Sequence, residues 1–189
     1  YLPKIDDMGE TIDVVEIIPA RNKPKIQEVV SLIEEAGDQK VIVWCRFRAE
    51  IEGIISELSR NEISCVPFHG GVSEADRVRN RKAFQSDDGP QVLVGNAAAG
   101  GIGLNFYAAS SAIYFSNSHD TEDRVQSEDR CHRIGSEIHD SVTYYDFVCT
   151  GTVDVGILGV LRNNKQISNE IMGDGWREWI WVSRNQKDR

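Results

Sequence analysis

Short unbroken apolar runs alternate along this chain with stretches whose apolar residues fall three and four positions apart. The run 40–45 (KVIVWC) is apolar after its lysine, the pattern of a strand buried on both faces of a parallel sheet. Residues 64–68 (SCVPF), 91–94 (QVLV), 112–115 (AIYF) and 143–148 (TYYDFV) read as further strands, and 12–18 (IDVVEII) as a first or edge strand. Between them, 25–36 sets Ile26, Val29, Val30 and Ile33 on one helical face, with Gly37 placed to cap the end. Residues 49–59 repeat the pattern with Ile51, Ile54, Ile55 and Leu58. Residues 73–86 predict a helix with Ser73 as N-cap and Asp76 at the third helical position. A long helix is predicted over 153–172, and WREWIWV makes a short aromatic tail. Strands alternating with helices predict one α/β domain over 1–173, with a mostly parallel sheet and helices on both faces. Residues 174–189 form a separate aromatic and charged tail.

Charge narrows the function. The formal net charge is -9, from 21 basic and 30 acidic residues. That argues against a protein that coats nucleic acid, because phosphate contacts dominate such binding. A local basic groove remains open. No apolar run is long enough to span a membrane. The polar, acidic opening YLPKIDDMGE is no signal peptide. The chain starts at Tyr1 rather than Met, so a piece of something longer is expected. Cys45, Cys65, Cys131 and Cys149 form no CxxC pair and no zinc-like spacing. They are expected to be buried free thiols, in keeping with a reducing cytoplasm. No metal site is expected.

In parallel sheets ligands gather at the carboxyl ends of strands, and the unusual segments fall there. QSEDRCHRIG (126–135), read as helical, brings Gln126, Arg130 and Arg133 within an arc of about 60°. Planar, always-charged guanidinium groups suit phosphate, and Asp129 stands four positions before Arg133 to orient it. A solvent-exposed ion-pair helix is the plain alternative. GNAAAGGIGLN (95–105) brings backbone amides close to a ligand or to another chain. It is neither a P-loop nor a dinucleotide fingerprint, and a structural tight turn would also account for it. HGGVS (69–73) precedes a capped helix and offers an anion site at its N-terminus, or a plain loop. Trp176, Trp179 and Trp181 could stack bases, but at this spacing they read first as a hydrophobic clasp onto the domain or onto a missing neighbour.

Together these segments resemble the Swi/Snf-type helicase-like ATPases. QSEDRCHRIG is similar to motif VI of that family, AGGIGLNF to motif V, and KVIVWCRF and FHGGVS to motif IV and the segment after it. GTVDVGILGVLRNNKQISNEIMG is similar to the helix that follows motif VI. The resemblance runs from about residue 23 to 173, and YFSNSHDTED looks most like compact phage and bacterial members. It implies the second RecA-like lobe of a two-lobe motor, with ATP and Mg2+ held mainly by the first lobe. Arg130 and Arg133 are then arginine fingers. Gln126, Asp129, Gly101, Gly103 and Asn105 serve the nucleotide. Arg46, His69, Gly70, Gly71, Asn96 and Ala97 face double-stranded DNA. Partners are the N-terminal lobe and DNA, with no membrane, in the cytoplasm of a bacterial or phage-infected cell.

Two departures stand out: Ala97 replaces the family's motif V threonine, and Ser136 replaces the glutamine after motif VI. Walker A and DExH motifs are absent from these 189 residues, so the chain alone is expected to be inactive on ATP. The rival is a non-enzymatic RecA-like module that binds DNA or protein. A dinucleotide enzyme is disfavoured by its missing fingerprint.

Overall fold

A computed structural model describes residues 4–5, 11–12, 24–99, 105–131 and 142–172, with side-chain burial assigned from 24 to 164 within those ranges. A short antiparallel ribbon pairs β1 (Lys4–Ile5) with β2 (Thr11–Ile12). The rest of the strand expected over 12–18 lies outside the described residues. The main body then follows as α1 (Pro24–Glu35), β3 (Lys40–Trp44), α2 (Arg48–Arg60), β4 (Cys65–Phe68), α3 (Glu74–Gln85) and β5 (Val92–Gly95). After a single 3-10 turn at Ala97–Ala99 come β6 (Ala109–Tyr114), α4 (Thr121–Asp129), β7 (Thr143–Asp146) and α5 (Val153–Met172).

Five strands form one all-parallel sheet in the order β4-β5-β3-β6-β7. The period-2 alternation of β3 divides the core between the two faces. Val41, Val43 and Cys45 pack with Ile26, Val29, Ile33 of α1 and Ile51, Ile54, Leu58 of α2. Ile42 and Trp44 pack on the opposite side with Phe68, Phe84 of α3, and Phe106. The expected parallel α/β architecture with helices on both faces is therefore what forms.

Local chemistry explains the boundaries. Gly37 takes φ +60°, a left-handed conformation that ends α1 without a Cβ penalty. Ser73 Oγ accepts the Asp76 N–H at 3.1 Å and caps α3. Pro67 sits in β4, which pairs on one side only with β5 among the described residues, so its missing N–H is tolerated. The strand expected at 112–115 begins three residues earlier, at Ala109, because small residues (ASSA) extend the ladder under Phe106. The strand expected to reach 148 ends at Asp146. Helix α5 occupies the expected 153–172, burying Leu158 and Leu161. Lys25 at the start of α1 pairs with Asp154 at the start of α5, 2.9 Å apart. Residue 173 and the tail lie outside the described residues.

Gly95 closes β5 where strands crowd. A Cβ there would lie 2.2 Å from the Phe68 carbonyl oxygen. Gly95→Ala is expected to destabilise the protein by about 1–3 kcal/mol through overpacking of paired backbone. Its urea midpoint should fall, and an unchanged midpoint would show that β4 can yield.

Candidate functional site

From β3 the chain runs out to β4, back to β5, and then across β3 to β6. Connections thus diverge on either side of β3, which makes the carboxyl end of β3 a topological switch point. A cleft of about 200 Å³ opens there, between Arg46, the turn 96–98, the segment 116–118 and the first half of α4.

Backbone-directed bonds build its walls. Arg46 N–H donates to Ser116 Oγ at 2.7 Å, and Ser116 Oγ–H donates to Glu50 Oε2 at 2.5 Å. Asn96 Nδ2 donates to the Arg46 carbonyl at 2.9 Å, and Ala98 N–H donates to Asn96 Oδ1 at 2.8 Å. Asn96 is therefore a strut between the ends of β3 and β5, with both side-chain functions engaged. The Arg46 guanidinium is left on the rim, over the exposed Phe47 ring at 5.2 Å.

The arginine-rich segment lies opposite. Helix α4 starts at Thr121, five residues before Gln126, and Asp120 caps it by accepting the Glu122 and Asp123 N–H groups. It ends at Asp129, but Arg130 keeps helical dihedrals (φ -68°, ψ -27°) and still donates its N–H to the Gln126 carbonyl at 3.2 Å. Gln126 and Arg130 therefore do share a side of one helical path. Their side chains diverge, however. Gln126 is exposed and donates to Glu122, whereas Arg130 is 5% exposed and donates from Nη1 to the Ala97 carbonyl at 2.7 Å. The Arg130 carbonyl in turn accepts the Phe106 N–H at 2.8 Å. Asp129 is exposed. Asn105 is half-buried, with its carbonyl on Gln85 Nε2 at 2.6 Å. Gly101, Gly103 and Arg133 lie outside the described residues, as does Ser136.

On the other side of β5, the Phe68 carbonyl accepts the Asn96 N–H and leads into His69. His69 Nδ1 accepts the Gly71 N–H at 3.1 Å, so its remaining N–H is on Nε2. Partial burial, with Arg48 and Arg77 nearby, holds this imidazole below the usual histidine range against the opposing Glu52. The Val72 N–H also turns inward, to the His69 carbonyl. The open amide cradle expected at HGG is thus partly spent on His69 itself, and Glu74 and Asp76 already answer the N-terminal field of α3. Two cations are near instead: Arg48, whose Nη1 comes within 3.0 Å of where a Cβ on Gly71 would stand, and Arg77, which acts on His69. Sequence reasoning left both out.

It also missed a charged cluster behind α4. Arg124 is 5% exposed and donates to Glu128 Oε1 at 2.7 Å, to Asn117 Oδ1 at 3.0 Å and to both oxygens of Asp146. Its guanidinium lies 3.4 Å from the centroid of the Tyr114 ring. Burial opposes its charge, but Tyr114, Asp146 and Glu128 together raise its pKa. Cys131 just beyond is pushed up to about 12, by burial first and then by Glu128. All four cysteines are free, Cys45 and Cys131 buried, Cys65 and Cys149 only partly. Among the described residues no group of His, Cys, Asp and Glu side chains could hold a metal ion, and no helix is long and apolar enough to cross a membrane.

The sequence model of the helicase conserved C-terminal domain matches residues 24–135. Over 164 residues the chain is 24% identical to the human (Homo sapiens) DNA annealing helicase and endonuclease ZRANB3, covering 87% of this chain and 15% of that protein. It is 26% identical over 151 residues to the chromatin-remodeling ATPase INO80 of Cryptococcus neoformans, covering 79% and 8%. It is 28% identical over 165 residues to the DNA repair protein RAD5 of Candida albicans, covering 82% and 15%. The chain thus spans 15% or less of the length of these relatives. Among solved structures, the C-terminal part of the Fun30 ATPase domain superposes with a TM-score of 0.67 at 21% identity, covering 78% of this chain and 48% of that one. That likeness establishes the RecA-like fold. One human and two fungal relatives give no support to the expected phage or bacterial setting.

Proposed function

We propose, for a chain that belongs to the helicase conserved C-terminal domain family and has the RecA-like fold of Swi/Snf-type ATPases, the role of second motor lobe in an ATP-dependent DNA translocase. The lobe spans 1–173, and 174–189 is its tail. The observation that carries the reading is the cleft at the end of β3, lined by Arg46 and the Asn96–Ala97 turn, with the buried Arg130 bonded to the Ala97 carbonyl. Three separated segments, each resembling a different motor motif, converge on one edge of the sheet.

ATP and Mg2+ belong mainly to the first lobe in this reading, and no residue of this chain is assigned to the metal. Water attacks the γ-phosphorus, the bond to the β–γ bridging oxygen breaks, and negative charge grows on the departing diphosphate and the phosphoryl oxygens. Arg133 and Arg130 supply guanidinium groups to that charge. Arg130 keeps its Nη1 on the Ala97 carbonyl, so a phosphate would be met by the other N–H groups of the same guanidinium and the 97 turn would orient it. Gln126 and Asp129 stand exposed toward the other lobe, and Gly101, Gly103 and Asn105 form the nucleotide side of motif V. DNA phosphates meet Arg46, His69, Gly70, Gly71, Asn96 and Ala97, with Asn96 acting as a strut and Ala97 through its backbone.

The test is ATP turnover, with and without duplex DNA, by this chain and by a protein that joins it to its first lobe. Turnover only in the joined form, stimulated by DNA and weakened as salt rises, is the expected result. No turnover in either would favour the binding-module reading. Turnover by this chain alone would refute the division of labour.

A further inference from the structure

We propose that Arg124 is a positioning residue: its buried fork on Asp146 locks the orientation of α4, and so sets where Arg130 meets the Ala97 turn. The proposal rests on the motor-lobe reading for its catalytic consequence, though not for its geometry.

The argument begins with what α4 lacks. Its buried residues are Arg124, Ser127 and Glu128, and none of them is apolar. An apolar face is held in place by interlocking side chains, because the hydrophobic effect itself is non-directional. A polar face is held instead by hydrogen bonds, which weaken steeply off-axis and so resist sliding and rotation. Here the directional contacts come from two strands, β6 and β7, and the segment just past β6. Arg124 holds both Asp146 oxygens at the end of β7 and Asn117 just past β6. Tyr114 Oη and Ser127 Oγ share a hydrogen bond of 2.7 Å within β6 and α4. Tyr144 Oη on β7 donates to the Glu128 carbonyl at 3.1 Å. Asn117 Nδ2 donates to Asp146 Oδ1 at 2.9 Å, fixing the acceptor as well.

A buried ion pair is a weak source of stability, and apolar replacements of similar volume are often neutral or better. Geometry is the remaining use for this one. Arg130 lies six residues beyond Arg124, and its Nη1 donates to the carbonyl of Ala97, a residue of the cleft wall. A turn of α4 about its axis would carry the guanidinium off the Ala97 carbonyl. The guanidinium fork matters as much as the charge, because it engages both Asp146 oxygens at once.

The experiment uses the full two-lobe protein and three variants: Arg124→Lys, Asp146→Asn, and the apolar pair Arg124→Met with Asp146→Leu. ATP turnover in saturating duplex DNA and amide hydrogen exchange along α4 are read for each. Positioning predicts a fall in kcat of about a hundred-fold, an ATP KM within about two-fold, and faster exchange in α4 with α1 and α2 unchanged. The apolar pair, made together with Glu128→Gln so that no carboxylate is left buried without its guanidinium, should melt near the wild-type temperature and still be slow, which a structural role would not produce. Arg124→Lys with wild-type kcat and wild-type α4 exchange would overturn the proposal. So would an apolar pair that melts normally and turns over normally. Should that pair fail to fold, Arg124→Lys decides. A wild-type protein without DNA-dependent turnover would refute the motor-lobe reading, while the exchange rates would still judge the clamp.

Discussion

Arg133→Ala, made in the two-lobe protein, is expected to lower ATP turnover by about a thousand-fold or more and to leave ATP affinity within a few-fold. No segment of this chain has the glycine-rich phosphate loop that would let it hold a triphosphate by itself. In the proposed motor, a cation brought from the second lobe meets charge that grows only during transfer, so its loss should appear in kcat and spare binding. Single-turnover hydrolysis together with an ATP titration separates the two. Wild-type turnover in Arg133→Ala would remove the finger role. Arg130→Ala makes an informative contrast. Its side chain is almost fully covered and holds the Ala97 carbonyl, so that variant should lose stability as well as turnover. A loss of turnover alone would put Arg130 on the phosphate rather than on the turn.

The sequence announces elements whose stability comes from apolar burial. Lys40–Trp44 is continuous and sits at the centre of the sheet, and Ile26, Val29, Val30 and Ile33 of α1 are all buried as their spacing implies. Caps at Gly37 and Ser73 follow from backbone conformation and hydrogen bonding that single residues reveal. Helix α4 is different. Its polar TEDRVQSED gives no apolar period, because its buried face carries Arg124, Ser127 and Glu128. The one local signal was Asp120, an N-cap followed by two acids in the first turn. Its partner Asp146 lies 22 residues away in sequence, and no spacing rule joins an arginine on a helix to an aspartate on a parallel strand. The same limit hid the burial of Arg130. A helical arc states which side a guanidinium leaves from, and says nothing of the Ala97 carbonyl waiting there. Arg48 and Arg77 were passed over for a related reason: Arg48 opens α2 and Arg77 lies in the first turns of α3, where charged residues ordinarily just meet solvent.

Phe106→Ala is expected to cost about 3–5 kcal/mol, a shift of roughly 10 °C in melting temperature for a chain of this size. Phe106 is fully buried, and three aromatic rings meet it edge-on: Phe68 at 5.5 Å, Trp44 at 5.9 Å and Phe84 at 6.5 Å between centroids. Those rings come from β4, β3 and α3, so one side chain joins three elements that sequence order keeps apart. Deleting it would leave a cavity that fixed strands on one side cannot collapse to fill. The effect should also reach the arginine segment. Phe106 donates its backbone N–H to the Arg130 carbonyl, so the residue whose ring sits among Phe68, Trp44 and Phe84 also holds the end of α4. Urea unfolding measures the first consequence and ATP turnover of the two-lobe protein the second. Phe106→Leu keeps most of the volume and should lose only about 1–2 kcal/mol while retaining turnover. If Phe106→Ala instead unfolds with a loss under about 1 kcal/mol, the aromatic cluster is not the pin of this face, and the seating of Arg130 must depend on α4 and its buried arginine alone.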